Sequence, residues 1–147
     1  MGTIMFGWFK KKDAQLPAVV GDAKKAADWI SKALASSGYR ADFSVESLHD
    51  IDRFFDEHAQ NGQAIPGGLL SEQLGSRIFA IGSYIGEVII RAYNGSWQTD
   101  DNDPEAEMNI AIVLNKGTIM WPVQRAMKRF KNGPQDGIYV YGRVANE

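Results

Sequence analysis

Apolar residues recur at spacings of three and four along residues 72–93, which predicts one long amphipathic helix of about six turns. The line consists of Leu74, Ile78, Ile81, Ile85, Val88 and Ala92. Ser71 before this segment and Asn94-Gly95 after it are typical of a helix start and a helix end. Beside the apolar line lie Gly75, Phe79, Gly82 and Gly86. Because glycine costs up to about 1 kcal/mol inside a helix, three of them on one face indicate that another backbone comes close.

Two shorter helices are predicted before this one. The first runs from Asp22, a residue type that suits an N-cap, to Ser37, and its apolar face is mostly alanine. The second begins at Ser44 or Ser47 and ends near His58. Its core stripe consists of Leu48, Ile51, Phe54 and Phe55. Helices are therefore predicted to dominate the first half of the chain.

The pattern after the long helix changes to that of strands. Ser96–Thr99 predicts a strand that carries Trp97, and Met108–Leu114 alternates with the period of two that a strand requires. Asn115-Lys116-Gly117 is a hairpin signal, so the chain is expected to return as Thr118–Trp121.

A short helix led by Pro122 follows, and residues 136–146 fit either a strand or a helix. These elements predict an α+β fold in which a long central helix and N-terminal helices pack on a small antiparallel sheet. We expect one α+β domain over residues 17–147, preceded by a flexible N-terminal leader over residues 1–16. In that leader an aromatic stretch precedes Lys10–Lys12, which is the reverse of a signal peptide. It is either a frayed leader or a short aromatic-basic foot for an anionic membrane surface.

Composition and charge exclude several classes of protein. The chain has 147 residues, of which 44% are hydrophobic and 23% charged, and these values exclude a disordered or collagen-like chain. The absence of cysteine excludes disulfides, thiol nucleophiles and cysteine-bound metals. No apolar run reaches the roughly 20 residues of a membrane-spanning helix. From these features we expect a cytoplasmic location and no cofactor.

One motif resembles a pattern found in uncharacterised bacterial proteins. Gly82-Ser83-Tyr84-Ile85-Gly86-Glu87-Val88 matches their Gly-x-Tyr-x-Gly-Glu-Val helix, and Gly95-Ser96-Trp97 matches the Gly-x-Trp that follows it. The resemblance continues through the hairpin to the basic helix that starts at Trp121-Pro122, and covers about residues 40–145. It implies a compact, soluble bacterial domain, and it brings no assigned activity.

Tyr84, Glu87 and Arg91 share one flank of the long helix, at spacings of three and four. A partly buried glutamate there could act as a general base while the arginine orients an anion. The alternative is a Glu–Arg pair that closes the edge of the core, with Tyr84 packed beside it. Trp97 lies just beyond the helix and joins this group as a candidate binding residue.

Charge is segregated along the chain. Residues 100–107 hold five acidic residues, among them Asp101 and Asp103, without the glycine and glutamate spacing of an EF-hand. His49, Asp52 and Asp56 share a helix side, which fits a hard cation or an ordinary polar face, and we predict no metal site.

Residues 116–147 carry a net charge of +4, which Arg125, Lys128, Arg129 and Lys131 dominate. Eleven acidic residues in two other segments oppose a polyanion, so the sequence argues against a nucleic-acid partner.

Three classes of function remain open. The leading hypothesis is a non-enzymatic protein-binding module whose partner is recognised electrostatically, and one version of it is an immunity-type module that neutralises a cognate toxin. Its candidate binding residues are Tyr84, Glu87, Arg91, Trp97, Asp101 and Asp103. The alternative is a small enzyme that uses Glu87 with Tyr84 and Arg91. A third hypothesis is self-association through the glycine face of the long helix, and the sequence leaves the oligomeric state open.

Overall fold

The computed structural model describes residues 17–145. These residues form six α-helices and two small antiparallel sheets, which confirms the α+β class. The helices are α1 (Ala18–Ser36), α2 (Leu48–His58), α3 (Leu74–Tyr93), α4 (Ala106–Asn109), α5 (Pro122–Asn132) and α6 (Ile138–Val144). The strands are β1 (Ala59–Gln60), β2 (Gln63–Ala64), β3 (Gly95–Gln98), β4 (Ala111–Leu114) and β5 (Ile119–Met120). The leader predicted at residues 1–16 lies outside the described residues.

The long helix α3 is the centre of the domain, as its apolar line predicted. Ile78, Ile81, Ile85 and Val88 are each no more than 1% exposed. Its two outermost predicted core positions differ, since Leu74 is half-buried and Ala92 is exposed. The helices α1 and α5 pack along α3, and α2 packs against α6. Because neighbours surround the middle of α3, every residue from 78 to 86 is buried, including those off the predicted line.

The glycine face of α3 is filled by other parts of the same chain. A methyl group at Gly82 would lie 2.5 Å from the Cα of Val123, at the start of α5. A methyl group at Gly86 would overlap the indole ring of Trp97 on β3. The predicted close approach of another backbone is thus confirmed at Gly82. Gly75 has nothing within 4 Å of the same position.

The three-stranded sheet has the order β3-β4-β5, with Trp97 opposite Ile112 and Ile112 opposite Met120. The predicted hairpin between β4 and β5 is confirmed, and Gly117 takes the positive φ of 89° that its turn requires. The predicted strand over Met108–Leu114 is wrong in its first half, because the helical turn α4 occupies residues 106–109. Its second half, β4, is almost wholly buried between α3 and the flanking strands.

The starts of the helices differ most from the predictions. The helix α1 begins at Ala18 and not at Asp22. The helix α3 begins at Leu74, after Gln73 in a left-handed conformation, so Ser71 does not cap it. Ser44 accepts a hydrogen bond from the backbone of Ser47 and caps a 3₁₀ turn that leads into α2. The predicted stop of α3 is confirmed, since Asn94 takes the left-handed conformation that ends a helix.

The chain's last described segment is a helix, which decides between the two structures that its sequence fits. The carboxylate of Asp52 accepts hydrogen bonds from the backbone N–H groups of Ile138 and Tyr139, each at 2.9 Å. Those groups are the unpaired donors of the first turn of α6. The contact with α2 therefore stabilises the start of the helix.

Candidate functional site

Tyr84 is held in the interior by two hydrogen bonds. Its side chain is 0% exposed, and its hydroxyl accepts from the backbone N–H of Phe43 at 3.0 Å. The hydroxyl of Ser47 donates to the carbonyl of Ser44, so the Tyr84 hydroxyl donates to Ser47 at 2.7 Å. Burial raises the pKa of Tyr84 above its ordinary value. Tyr84 therefore fixes the turn that precedes α2.

Glu87 connects α3 to the sheet. One carboxylate oxygen accepts from the indole N–H of Trp97 at 2.7 Å, and the other accepts from Arg91 at 3.3 Å. The guanidinium of Arg91 in turn lies 3.8 Å from the ring centre of Phe43, which packs on Tyr84. The four predicted residues Tyr84, Glu87, Arg91 and Trp97 thus lie in one cluster. Both oxygens of Glu87 have donors, so the cluster closes the edge of the core.

Asp101 and Asp103 lie apart from that cluster, in the loop between β3 and α4. Asp101 accepts from the backbone N–H groups of Ala18 at 2.7 Å and Val19 at 3.1 Å, so it caps α1 from a distant part of the chain. Asp103 accepts from the side chain of Asn109 and from the backbone of Glu105, and these bonds lower its pKa. Both acids therefore bind other groups of the same chain and stabilise the fold.

Arg129, one of the four basic residues that dominate the charge of residues 116–147, is only 3% exposed. Its guanidinium donates to the carboxylate of Asp52 at 3.0 Å, to the Asp52 carbonyl at 3.1 Å and to Asp56 at 2.6 Å. His49, the third residue of that helix side, stacks on Tyr139 with ring centres 3.6 Å apart. Within residues 17–145, no group of histidines and carboxylates is arranged to hold a metal ion.

A cavity of about 510 Å³ lies between β5, α5 and α6, and we call it the Trp121 groove. Its exposed apolar side chains are Ile119, Trp121, Val140 and Val144, and its polar lining includes Gln124, Arg125 and Lys128. Arg125 pairs with Asp136 at 2.9 Å and lies 4.7 Å from the ring centre of Tyr141. Burial raises the pKa of Tyr141 to about 12, so this hydroxyl stays neutral at physiological pH.

Sequence reasoning missed the Trp121 groove, although one signal was present. In the strand β5, Met120 is 6% exposed, whereas its neighbours Ile119 and Trp121 are 48% and 44% exposed. Alternation along a strand places neighbouring residues on opposite faces, so an edge strand such as β5 that is covered on one face exposes part of an apolar run. Only the packing of α5 and α6 shows that these two side chains meet others.

A second cavity, of about 140 Å³, lies between α1, α3 and the segment before α3, and we call it the Arg77 cavity. Trp29, Leu69 and Arg77 are among its lining residues. The backbone of Leu69 is held at both ends, because its N–H donates to Nδ1 of His58 at 3.1 Å and its carbonyl accepts from Arg77. Burial lowers the pKa of His58, which fits a neutral ring whose Nδ1 accepts a hydrogen bond.

No family model, curated protein or solved structure matches this chain. The resemblance of residues 40–145 to uncharacterised bacterial domains stays a prediction. Among residues 17–145, no helix combines the length and the apolar character that crossing a bilayer requires.

Proposed function

We propose that this protein is a non-enzymatic protein-binding module whose partner occupies the Trp121 groove. The observation that carries the proposal is the gathering of exposed apolar side chains. Of the six large apolar side chains that are exposed in the described part of the chain, four line this groove. A contiguous exposed apolar patch on a domain marks an interaction site more often than scattered apolar residues do. Tryptophan is also enriched among the residues that dominate binding energy.

The charge beside the groove specifies the chemistry of the partner. Lys128 lines the groove and is exposed, and Lys131 is exposed one turn further along α5. Arg125 and Arg129 on the same helix are paired with carboxylates of the chain itself. A partner segment with an apolar anchor and acidic flanks therefore fits this surface, and opposite charge would speed its association. If the module is of the immunity type, its partner would be a cognate toxin with such a segment.

The contacts of the alternative site favour a structural role over catalysis. A catalytic Tyr84 would have to reach substrate, but its side chain is 0% exposed and its hydroxyl holds Ser47 and Phe43. Glu87 accepts from Trp97 and Arg91, and these two contacts hold the sheet and the outer turn of α3 together. The enzyme hypothesis stays a prediction without support from these contacts. The glycine face, which self-association would use, is filled at Gly82 and Gly86 by the chain's own residues.

The experiment that tests the proposal compares matched variants in affinity capture from the source cell. Val140→Asp places a charge in the groove, and Ala35→Asp places the same charge at an exposed helical position outside it. Lys128→Glu reverses a charge at the groove, and Lys24→Glu makes the same reversal on the exposed face of α1. Circular dichroism and urea unfolding first establish that all four variants are folded.

A true partner of the groove is retained by the wild type and by both controls, and is lost with Val140→Asp. With the purified pair, we expect Lys128→Glu to slow association and the association rate to fall as salt rises. A 1:1 complex that all four variants bind equally well, or an association rate that salt does not change, would contradict the proposal.

A further inference from the structure

The Arg77 cavity is apolar over most of its wall. Its lining contains Ile30, Ala33, Leu34, Phe54 and Ile81 from the helices α1, α2 and α3. At its rim lie Trp29 and Leu69, which are 55% and 39% exposed, and among residues 17–145 these are the two large exposed apolar side chains outside the Trp121 groove. The two surfaces share no lining residue. The cavity is therefore a separate feature with its own opening to solvent.

Arg77 supplies the one cationic group in this wall, and the fold leaves it without a carboxylate. Arg40, Arg53, Arg91, Arg125 and Arg129 each form an ion pair with an aspartate or a glutamate. In the described part of the chain Arg77 and Arg143 have no such pair, and Nη1 of Arg77 donates to the backbone carbonyl of Leu69. The Nε of Arg77, like that of the paired Arg125, is buried without any hydrogen-bond partner.

An unpaired buried N–H group of a charged side chain is unusual, since buried polar groups nearly always have partners. Leaving it unsatisfied costs free energy that an acceptor would recover. Nη1 already holds Leu69, and within residues 17–145 neither donor of the Nε–Nη2 edge has an acceptor. That edge is a fork of two parallel donors, which a carboxylate binds side-on.

We propose that the Arg77 cavity binds a small monocarboxylate with an apolar body, such as an aryl acid or a short-chain acid, and that Arg77 binds its carboxylate. The volume of about 140 Å³ sets the size of the body. An apolar cavity of about 150 Å³ accommodates one benzene ring, so a single ring or a chain of about six carbons fits. Trp29 and Leu69 lose water contact when the ligand enters, which adds apolar burial to the charge-assisted bonds.

The first experiment titrates the full chain with phenylacetate and with hexanoate, each against its neutral amide. The indole N–H resonance of Trp29, identified by its loss in Trp29→Phe, reports binding at the rim of the cavity. For ligands of this size we expect a dissociation constant of about 1 mM for the acids. The amides keep the body and lose the charge, so they should bind about tenfold more weakly.

Variants separate the two parts of the proposed site. Arg77→Gln should weaken the acids about tenfold and leave the amides nearly unchanged, whereas Arg40→Gln removes an exposed arginine elsewhere and should change neither. Ala33→Leu enlarges a wall residue and keeps Arg77, so it should reduce the binding of acids and amides alike. This variant keeps the test decisive if Arg77→Gln fails to fold.

The proposal is overturned if acids and amides bind equally, if Ala33→Leu binds phenylacetate as the wild type does, or if neither acid binds at 20 mM. Because the Trp121 groove and the Arg77 cavity share no lining residue, this test does not depend on the groove. The groove variant Val140→Asp should therefore bind both acids as the wild type does.

Discussion

The buried arginine of α5 can be tested by replacing Arg129 with alanine. Arg129 is 3% exposed and donates to the carboxylate and the carbonyl of Asp52 and to the carboxylate of Asp56. Through Asp52 it also connects α5 to the start of α6, because the same carboxylate accepts from Ile138 and Tyr139. The variant therefore removes the positive charge at the point where α2, α5 and α6 meet.

The two ion pairs of Arg129 contribute unequally. The Asp56 side chain is 57% exposed, so its pair contributes at most about 1 kcal/mol. The Asp52 side chain is 24% exposed, and breaking a buried pair costs about 3–5 kcal/mol. Because Asp52 keeps its two backbone donors, we expect a loss at the lower end, about 3 kcal/mol of the free energy of unfolding. A domain of this size has about 5–15 kcal/mol in total, so the variant should still fold.

Urea unfolding at pH 7, followed by circular dichroism, measures this loss. With a denaturant slope of about 1.5–2 kcal/mol/M, the midpoint of Arg129→Ala should fall by about 1.5–2 M. Asp56→Asn is the matched control, and it should lower the free energy of unfolding by less than about 1 kcal/mol. A loss below 1 kcal/mol for Arg129→Ala, or an equal loss for the two variants, would refute the reasoning.

Three further predictions follow from single contacts, and urea unfolding checks each of them. Gly82→Ala places a methyl group 2.5 Å from the backbone of α5 and should lower the free energy of unfolding by about 1–3 kcal/mol. Gly75→Ala, with nothing within 4 Å, should raise it by up to about 1 kcal/mol, and a shift of the two in the same direction would contradict the packing. Burial lowers the pKa of His58 in the folded state, so the unfolded chain takes up the proton first. The stability that the neutral ring contributes is therefore full above about pH 6.5 and falls as the pH drops below it. His58→Asn keeps an acceptor for the N–H of Leu69 and should flatten this fall between pH 7 and 5. An unchanged dependence of the free energy of unfolding on pH would exclude His58 as its cause. Asp101→Ala removes the cap of α1 and should cost about 1 kcal/mol, most of which Asp101→Asn should restore.

The candidate site shows which contacts the spacing of residues along a helix can predict. Spacings of three and four along α3 placed Tyr84, Glu87 and Arg91 on one flank, and the structure brings them together with Trp97. The same reasoning could not say that Asp101 lies elsewhere, since its partners Ala18 and Val19 are 83 and 82 residues away in sequence. Nor could it separate Arg129 from the exposed Lys128, because the burial of one of two adjacent residues depends on what packs against the helix.

The elements whose signals are short-range could be predicted from the amino-acid pattern alone. The period of the apolar residues identified α3, Gly117 marked the hairpin between β4 and β5, and Pro122 marked the start of α5. Each signal acts within one or two turns of the chain, where backbone geometry and solvent exposure are enough to select a structure.

Features that depend on groups far apart in the chain follow only from the packing of the folded protein. The helix α1 starts at Ala18 because Asp101, 83 residues away, accepts its first N–H groups, and α6 is a helix whose first N–H groups are held by Asp52. The Trp121 groove and the Arg77 cavity likewise exist only where three or more segments meet. Their walls follow from the packing of helices on α3, and no local pattern records which side chains that packing leaves exposed or unpaired.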